Sequence, residues 1–251
     1  MTFGVQQLDF YQASRRTTCY VYFMRQPDIA YVRDLPLFRD MAAEHFDSLV
    51  NAALLQKFPE RVTLIEEGEP PDFLHILVDG VVELFATCDG RETTIDILRP
   101  MTTFILAAVI RDGVHLKSAR TLTPTRVLML PAAAVRDVFG RDAAFARAIV
   151  NELADRYRGV VGLLKDQKLR NGTERLASWI LAEERRQGGR GRIELTHDKR
   201  TLSALLGMTP ENLSRNLATL RLHGIGGNGR EIQVTDRTAL ENYGGYPKAD
   251  G

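Results

Sequence analysis

Thr196-His197-Asp198-Lys199-Arg200-Thr201-Leu202-Ser203-Ala204-Leu205-Leu206-Gly207-Met208-Thr209-Pro210-Glu211-Asn212-Leu213-Ser214-Arg215-Asn216-Leu217-Ala218-Thr219-Leu220-Arg221-Leu222-His223-Gly224-Ile225 reads as two helices joined by a tight turn. Leu202, Leu205 and Leu206 give the first helix an apolar face, and Gly207 can end it in the left-handed conformation of a C′ residue. Thr209 is a good N-cap for the next helix, with Pro210 preorganised at its first position. Leu213, Leu217, Leu220 and Leu222 are expected to pack this second helix on the first. Its other face carries Glu211, Asn212, Ser214 and Arg215 within two turns, where a recognition helix presents side chains to base edges. Arg can donate twice to guanine, Glu can accept from cytosine, and Ser adapts to either. Lys199, Arg200 and Arg221, with Thr209 and Asn212, are placed for phosphate contacts that position without reading sequence. A structural helical hairpin would share the leucines and the turn. It would not need a capped second helix with a compact polar face.

Moving outward, Gly226-Gly227-Asn228-Gly229-Arg230 separates Ile225 from Ile232-Gln233-Val234, the pattern of a hairpin wing. Upstream lie a short strand, Ile193-Glu194-Leu195, and an amphipathic helix, Thr173 to Glu184, with Leu176, Trp179, Ile180 and Leu181 inward. Before that, a helical pattern runs from about Asp142 to Lys168, with Phe145, Ile149, Leu153, Tyr157, Val160 and Leu164 at steps of three and four. A helix of that length spans about 40 Å. Its single apolar seam fits pairing with a twin in a homodimer through Ile149, Leu153, Tyr157, Val160 and Leu164, or else an ordinary core helix. Gly159 and Gly162 permit close approach of two helices, or they leave a soft joint.

Residues 61–130 change period. Strand-length apolar runs (62–65, 73–78, 81–86, 93–98 and 126–130) alternate with turn signals at Glu67-Gly68-Glu69-Pro70-Pro71, Asp79-Gly80, Asp89-Gly90 and Asp112-Gly113. Hairpin-linked strands of this kind make an antiparallel barrel or sandwich. From Pro27 to Phe58, Leu35, Leu37, Phe38, Met41, Phe46, Leu49, Val50, Ala53 and Leu54 recur at helical spacings. Residues 1–26 show no period, and Met24 offers an alternative start.

The chain has 251 residues, 33 basic and 32 acidic, and 44% hydrophobic residues, which excludes wholesale disorder. The total of +1 hides an asymmetry: residues 165–230 hold 13 Lys+Arg against 7 Asp+Glu, and the remainder holds 20 against 25. A basic C-terminal module facing nucleic acid fits this, as does a solvated basic face. Cys19 and Cys88 are too few for a disulfide framework, a Cys-rich zinc site or a four-cysteine iron–sulfur cluster. No apolar run reaches the ~18 residues of a membrane span, and Cys19–Met24 is too short for a signal peptide, so the expected location is cytoplasmic. No Gly-x-Ser-x-Gly, His-Glu-x-x-His or P-loop is present, so an enzyme is not expected.

From about residue 30 the chain resembles the Crp/Fnr family of bacterial transcription regulators. Glu67-Gly68-Glu69 through Phe73-Leu74-His75-Ile76-Leu77-Val78-Asp79-Gly80-Val81-Val82-Glu83-Leu84 is similar to the cyclic-nucleotide-binding β-roll. The long helix is similar to the family's dimerisation helix, and Glu211-Asn212-Leu213-Ser214-Arg215 matches the Glu-x-x-Ser-Arg pattern of the Fnr-like branch. The resemblance implies an α+β chain: an N-terminal extension (1–26), an antiparallel β-roll sensor (27–141), a dimerisation helix (142–170) and a winged helix-turn-helix (171–251). It implies a homodimeric transcription regulator, activator or repressor, on double-stranded DNA, with RNA polymerase as further partner. The implied target is a TTG-N8-CAA inverted repeat with half-sites about 34 Å apart. Arg215 would lie on guanine, Glu211 on the complementary strand and Ser214 near a thymine.

Departures from the family narrow the signal. The iron–sulfur cysteines are missing. In the stretch Phe104 to Ser118, Leu106 stands where a ribose-binding carboxylate is expected, and Lys117-Ser118 only weakly replaces the phosphate-binding Arg, so cyclic nucleotide is disfavoured. Ile105 and Ala107 stand where the carbon-monoxide sensor of the family has haem ligands. The nearest branch is then the NnrR/Dnr/NarR type, which implies response to nitric oxide, nitrogen oxides or low oxygen, a place in denitrification, and haem as candidate cofactor. Effector candidates are His75, His115 and Phe104, with His45 as a further possible ligand and Cys88 as either a redox-sensitive thiol or a bland small residue. The alternatives are another small ligand, thiol oxidation, or a sensing module that does not touch DNA.

Overall fold

The fold is that of a computed structural model describing residues 6–9, 18–22 and 26–244. Met24 lies outside the described residues, as does the side chain of Cys19. The chain forms two compact units, Met1–Tyr157 and Arg158–Gly251.

The first unit holds two facing sheets and a helical layer. In chain order it comprises β1 (Gln6–Asp9), β2 (Thr18–Tyr22), α1 (Gln26–Arg33), α2 (Ala43–Asn51), β3 (Leu54–Phe58), β4 (Thr63–Ile65), β5 (Phe73–Asp79), β6 (Val82–Cys88), β7 (Arg91–Leu98), β8 (Thr102–Phe104), α3 (Leu106–Arg111), β9 (Ser118–Thr121), β10 (Thr125–Pro131) and α4 (Ala132–Arg141). One sheet has the order β1-β2-β3-β10-β5-β8 and the other β4-β9-β6-β7, and every described pairing is antiparallel. Leu77, Phe104, Val127 and Met129 of the first sheet meet Ile65, Val82, Leu84, Leu98 and Ala119 of the second between the layers. The alternate residues Leu74, Ile76, Val78, Leu128 and Leu130 face the other way, against Phe38, Phe46, Leu49, Val135 and Phe145 of the helical layer. β5 is thus buried on both faces, which is why it reads as an unbroken apolar run.

Several turn and element expectations need correction. Asp89-Gly90 is a true two-residue hairpin, both φ values positive, closing β6 on β7 with Cys88 opposite Arg91. Asp79-Gly80 instead carries the chain between the two sheets. There the Gly80 φ is +92°, and a Cβ would stand 2.5 Å from Thr125 Oγ1. Asp112-Gly113 ends α3, with Asp112 left-handed and Gly113 N–H donating to the Ala108 carbonyl at 3.0 Å. Leu54 begins β3 rather than continuing a helix, because pairing of Leu54–Phe58 with β10 outweighs a helical spacing. Residues 6–9 and 18–22 form a hairpin that pairs through β2 with β3, although that region shows no sequence period.

α5 (Ala143–Leu169) is the expected long helix and runs from the first unit into the second. Asp142 caps it: its buried carboxylate accepts from Phe145 N–H and Ala42 N–H at 2.9 Å, and meets His45 Nδ1 at 2.9 Å. These contacts pull its pKa down to about 2 against the opposing effect of burial. The second unit adds α6 (Gly172–Arg186), β11 (Arg192–Glu194), α7 (Lys199–Leu205), α8 (Pro210–Arg221), β12 (Ile225–Gly226), β13 (Glu231–Val234) and α9 (Arg237–Gly244). Its core joins Leu176, Ile180 and Leu181 of α6 to Leu202, Leu213, Leu220, Ile193, Ile232 and Leu240, with Trp179 at the edge.

Candidate functional site

The turn between α7 and α8 forms for the local reasons its sequence contains. Asp198 caps α7 by accepting from Thr201 N–H at 2.8 Å. Gly207 follows at φ +62°, and Met208 N–H closes the turn on the Ser203 carbonyl at 2.9 Å. Thr209 Oγ1 accepts from Asn212 N–H at 3.2 Å with Pro210 behind it, so α8 begins with its first turn facing outward. Leu213 and Leu220 are fully buried and Leu217 is half-buried. Leu222 is not a packing residue: it is 84% exposed, because α8 ends at Arg221 and the chain turns away toward β12.

The opposite face of α8 is bare. Glu211, Asn212, Ser214 and Arg215 are all exposed. Glu211 is held below the usual carboxylate range, first by the backbone N–H at this helix start, then by the Thr209 hydroxyl and by Arg215 one turn on. Ser214 is exposed and donates to the Pro210 carbonyl at 3.0 Å. Lys199 and Arg221 line one shallow cleft beside the wing residues Gly226–Gly229, and Arg200 is exposed one residue beyond Lys199. The wing is a three-stranded sheet, β11-β13-β12. Gly227 is required there, since a Cβ would stand 2.5 Å from the Glu231 carbonyl oxygen.

The seam of α5 divides. Ile149 is fully buried in the first unit's own core, so it is not available to a partner helix, and Leu153 packs against that core. Tyr157, Val160 and Leu164 stay 70%, 61% and 54% exposed. Val150, which the sequence reading passed over, is also exposed, and Val150, Leu153, Tyr157, Val160 and Leu164 keep strict three-four spacing.

The effector candidates sit together inside the roll. His75 of β5 lies in register with Phe104 of β8, ring centroids 5.1 Å apart, and Phe73 closes the other side at 6.5 Å. Burial first, and then His115, push its pKa down to about 3. His115 is buried and shifted down by burial, with Asp72 acting against the shift. The Nδ1 atoms of both rings are buried without a hydrogen-bond partner. His45 is not with them: it is tied to Asp142 at the head of α5. Cys88 is exposed at the β6–β7 turn. Lys117 is shifted down by desolvation and faces Asp96 and Arg156. Arg156 of α5 was not anticipated; it donates to the Thr103 carbonyl and pairs with Glu152 at 2.8 Å, while Thr103 Oγ1 donates to Glu152 at 3.0 Å. Leu106, in the place of the expected carboxylate, is buried in the apolar core.

Residues 55–142 match the cyclic nucleotide-binding domain family, and residues 174–243 match the Crp-like helix-turn-helix domain family. The chain belongs to the Crp/Fnr family of transcription regulators. Among its relatives is the CRP-like cAMP-activated global transcriptional regulator of Mycobacterium tuberculosis, 28% identical over 189 residues, or 73% of this chain and 84% of that one. Among solved structures, FixK2 from Bradyrhizobium japonicum has a TM-score of 0.69 at 24% identity, covering 76% of this chain and 96% of that one. A CooA variant from Carboxydothermus hydrogenoformans gives 0.66 at 15%, covering 77% and 88%. These structures share the fold.

In this regulator, His75, Phe104, His115 and Lys117 fall within the first matched domain, and Glu211, Ser214 and Arg215 within the second. The exposed part of the α5 seam falls in neither. The match is to DNA-binding regulators rather than enzymes. Among the described residues, no helix is long and apolar enough to cross a membrane, and no group of three or more His, Cys, Asp or Glu is placed to hold a metal ion.

Proposed function

We propose that this Crp/Fnr-family regulator works as a homodimer on an inverted repeat of the TTG-N8-CAA type. The observation that carries the reading is the capped start of α8, whose Glu211, Ser214 and Arg215 are exposed while Leu213 and Leu220 anchor the helix beneath them. Arg215 takes guanine, Glu211 accepts from the opposite strand, and Ser214 lies near a thymine. Lys199, Arg200, Thr209, Asn212 and Arg221 hold the phosphates. Dimerisation runs through Val150, Leu153, Tyr157, Val160 and Leu164, whose apolar area faces no core of its own chain beyond Leu153. RNA polymerase is the partner through which transcription is regulated.

The signal enters the roll beside His75, His115 and Phe104, and its proposed class is nitric oxide, another nitrogen oxide or low oxygen. The M. tuberculosis relative is described as cAMP-activated. For this chain a cyclic nucleotide is disfavoured, because Leu106 is turned into the core and presents no carboxylate to a ribose. The donor chemistry fits haem: two buried imidazoles carry unpartnered Nδ1 atoms, and neutral imidazole is an axial ligand of haem iron. His75 or His115 would hold the group, which when bound would supply an iron with a position for a diatomic gas. An anaerobic absorption spectrum with added haem and nitric oxide tests this; no Soret band shift on adding nitric oxide, or the same spectrum from a variant carrying both His75→Ala and His115→Ala, refutes it.

DNA binding is tested by fluorescence anisotropy on a TTG-N8-CAA duplex. Arg215→Ala is expected to lose ~1–3 kcal/mol and to relax discrimination at one guanine. A variant that binds as tightly and selectively as the parent overturns the assignment.

A further inference from the structure

The first turn of α6 touches the helix-turn-helix from three sides. Arg175 sends Nη1 to the Arg170 carbonyl at the end of α5 (2.7 Å) and Nε to the Leu206 carbonyl in the α7–α8 turn (3.1 Å). A third donor, Nη2, reaches the Gly207 carbonyl at 3.4 Å. Thr173 Oγ1 donates to Asn216 Oδ1 of α8 at 3.0 Å. Gly172 leaves room for this contact, since a Cβ there would stand 2.9 Å from Asn216 Nδ2. Gln167, in the last turns of α5, lies so close to Gly207 that a Cβ on that glycine would meet its amide nitrogen at 2.6 Å. Asn216 and the α7–α8 turn thus contact α5 and α6 directly, on the side of α8 away from Glu211, Ser214 and Arg215.

We propose that Gly172, Thr173 and Arg175 are positioning residues that lock α8 to the end of α5 and so set the angle at which the reading face is presented. One planar guanidinium holding carbonyls on both elements fixes their separation, which a lysine, a point charge on a flexible stem, cannot do. The Thr173–Asn216 bond fixes the rotation of α8 about its own axis. The last turns of α5 therefore carry α7 and α8 with them, and a change in α5 reaches the reading face without bending at Asn171. The inference rests on reading α8 as the recognition helix.

Gly172→Ala separates positioning from stability. Gly172 is a helical residue without positive φ, so alanine there favours α6, while its Cβ must displace Asn216 and break the Thr173 bond. The expected result in the full chain is an unchanged or raised melting temperature with about fivefold weaker binding to the TTG-N8-CAA duplex, the worth of one ordinary hydrogen bond. The salt slope should not move, because the phosphate contacts remain. Asn216→Ala removes the same bond, so adding Gly172→Ala to it should cost little further affinity. Arg175→Lys should weaken binding further than Gly172→Ala. Binding of Gly172→Ala equal to that of the parent, or losses from Gly172→Ala and Asn216→Ala that simply add in the double variant, overturns the proposal. Amide exchange along α8 reads the lock without DNA: it should speed up in Gly172→Ala, and unchanged exchange refutes the lock. A parent protein that binds no duplex while α8 exchange still responds would sink the recognition-helix reading and leave the lock standing.

Discussion

Acid is expected to weaken the roll through His75. The ring is buried between Phe73 and Phe104 and its pKa is pushed from 6.5 down to about 3, first by desolvation and then by His115. The unfolded chain takes up a proton near pH 6.5 and the folded one near pH 3, so the unfolded state binds more protons in between. Stability is then fully present above pH 6.5 and falls as pH drops toward 3, by about 1.4 kcal/mol per pH unit. At pH 5 the loss relative to neutrality is roughly 2 kcal/mol from this residue alone. His115 acts in the same direction, since burial also lowers its pKa. His75→Met keeps an apolar side chain of similar volume and removes the titration. The assay is hydrogen exchange of the β5 and β10 amides, corrected for intrinsic rates, at pH 7 and pH 5. Fluorescence of Trp179, the one tryptophan, reports the other unit and serves as an internal control. The parent should lose protection between the two pH values and the variant much less. If both lose the same protection, His75 does not enter the folded state neutral and the reasoning fails.

Other consequences follow from the same geometry. Asp142→Asn should destabilise the first unit by roughly 2 kcal/mol at pH 7, the linkage equivalent of a carboxyl pulled from 3.8 to about 2. That difference should vanish as pH falls from 4 toward 2, where the parent carboxylate is itself protonated; urea titration across this range checks it. Val160→Glu, on the exposed half of the α5 seam, should convert a dimer to a monomer in analytical ultracentrifugation while leaving the melting of each unit unchanged. Lys199→Ala should weaken binding evenly across sequences and reduce the salt slope by ~1, with no change in base preference.

The extent to which the fold was legible in the sequence follows from where each strand is buried. β5 announces itself because both its faces are covered, so its apolar residues are contiguous. β9, Ser118-Ala119-Arg120-Thr121, gives no such signal: its buried positions are Ala119 and Thr121, and Thr121 is held by a hydroxyl bond to the Pro59 carbonyl at 2.7 Å rather than by apolar area. Arg120 hides similarly, extended over Phe85 and paired with the buried Glu83 at 2.7 Å. The Asp-Gly pairs show the limit of turn chemistry. The dipeptide predicts positive φ, found at Asp89, Gly90, Gly80 and Asp112, but not whether the next element pairs back, crosses to another sheet or leaves a helix.

The two halves of the candidate site were legible to different degrees for one physical reason. A reading face on a helix is local: cap, proline, anchoring leucines and exposed polar residues all fall within the stretch from Thr209 to Leu220, and period 3.6 alone sorts inward from outward. The candidate effector half is assembled across strands that do not neighbour one another in sequence. His75 meets Phe104 through the register of β5 on β8, and Arg156 meets Thr103 across 53 residues. No spacing rule reports such a meeting, because it depends on which strands pair. The seam of α5 lies between these cases. Its spacing is local, yet a helix that is buried on one side and open on the next has two adjacent apolar stripes. Ile149 belongs to the covered one and Val150 to the open one, one residue and 100° apart. Periodicity counts both as apolar; only burial in the first unit's core, which takes in Ile149 and leaves Val150 57% exposed, separates them. The face of this helix that stays open is therefore defined by what the roll has already covered.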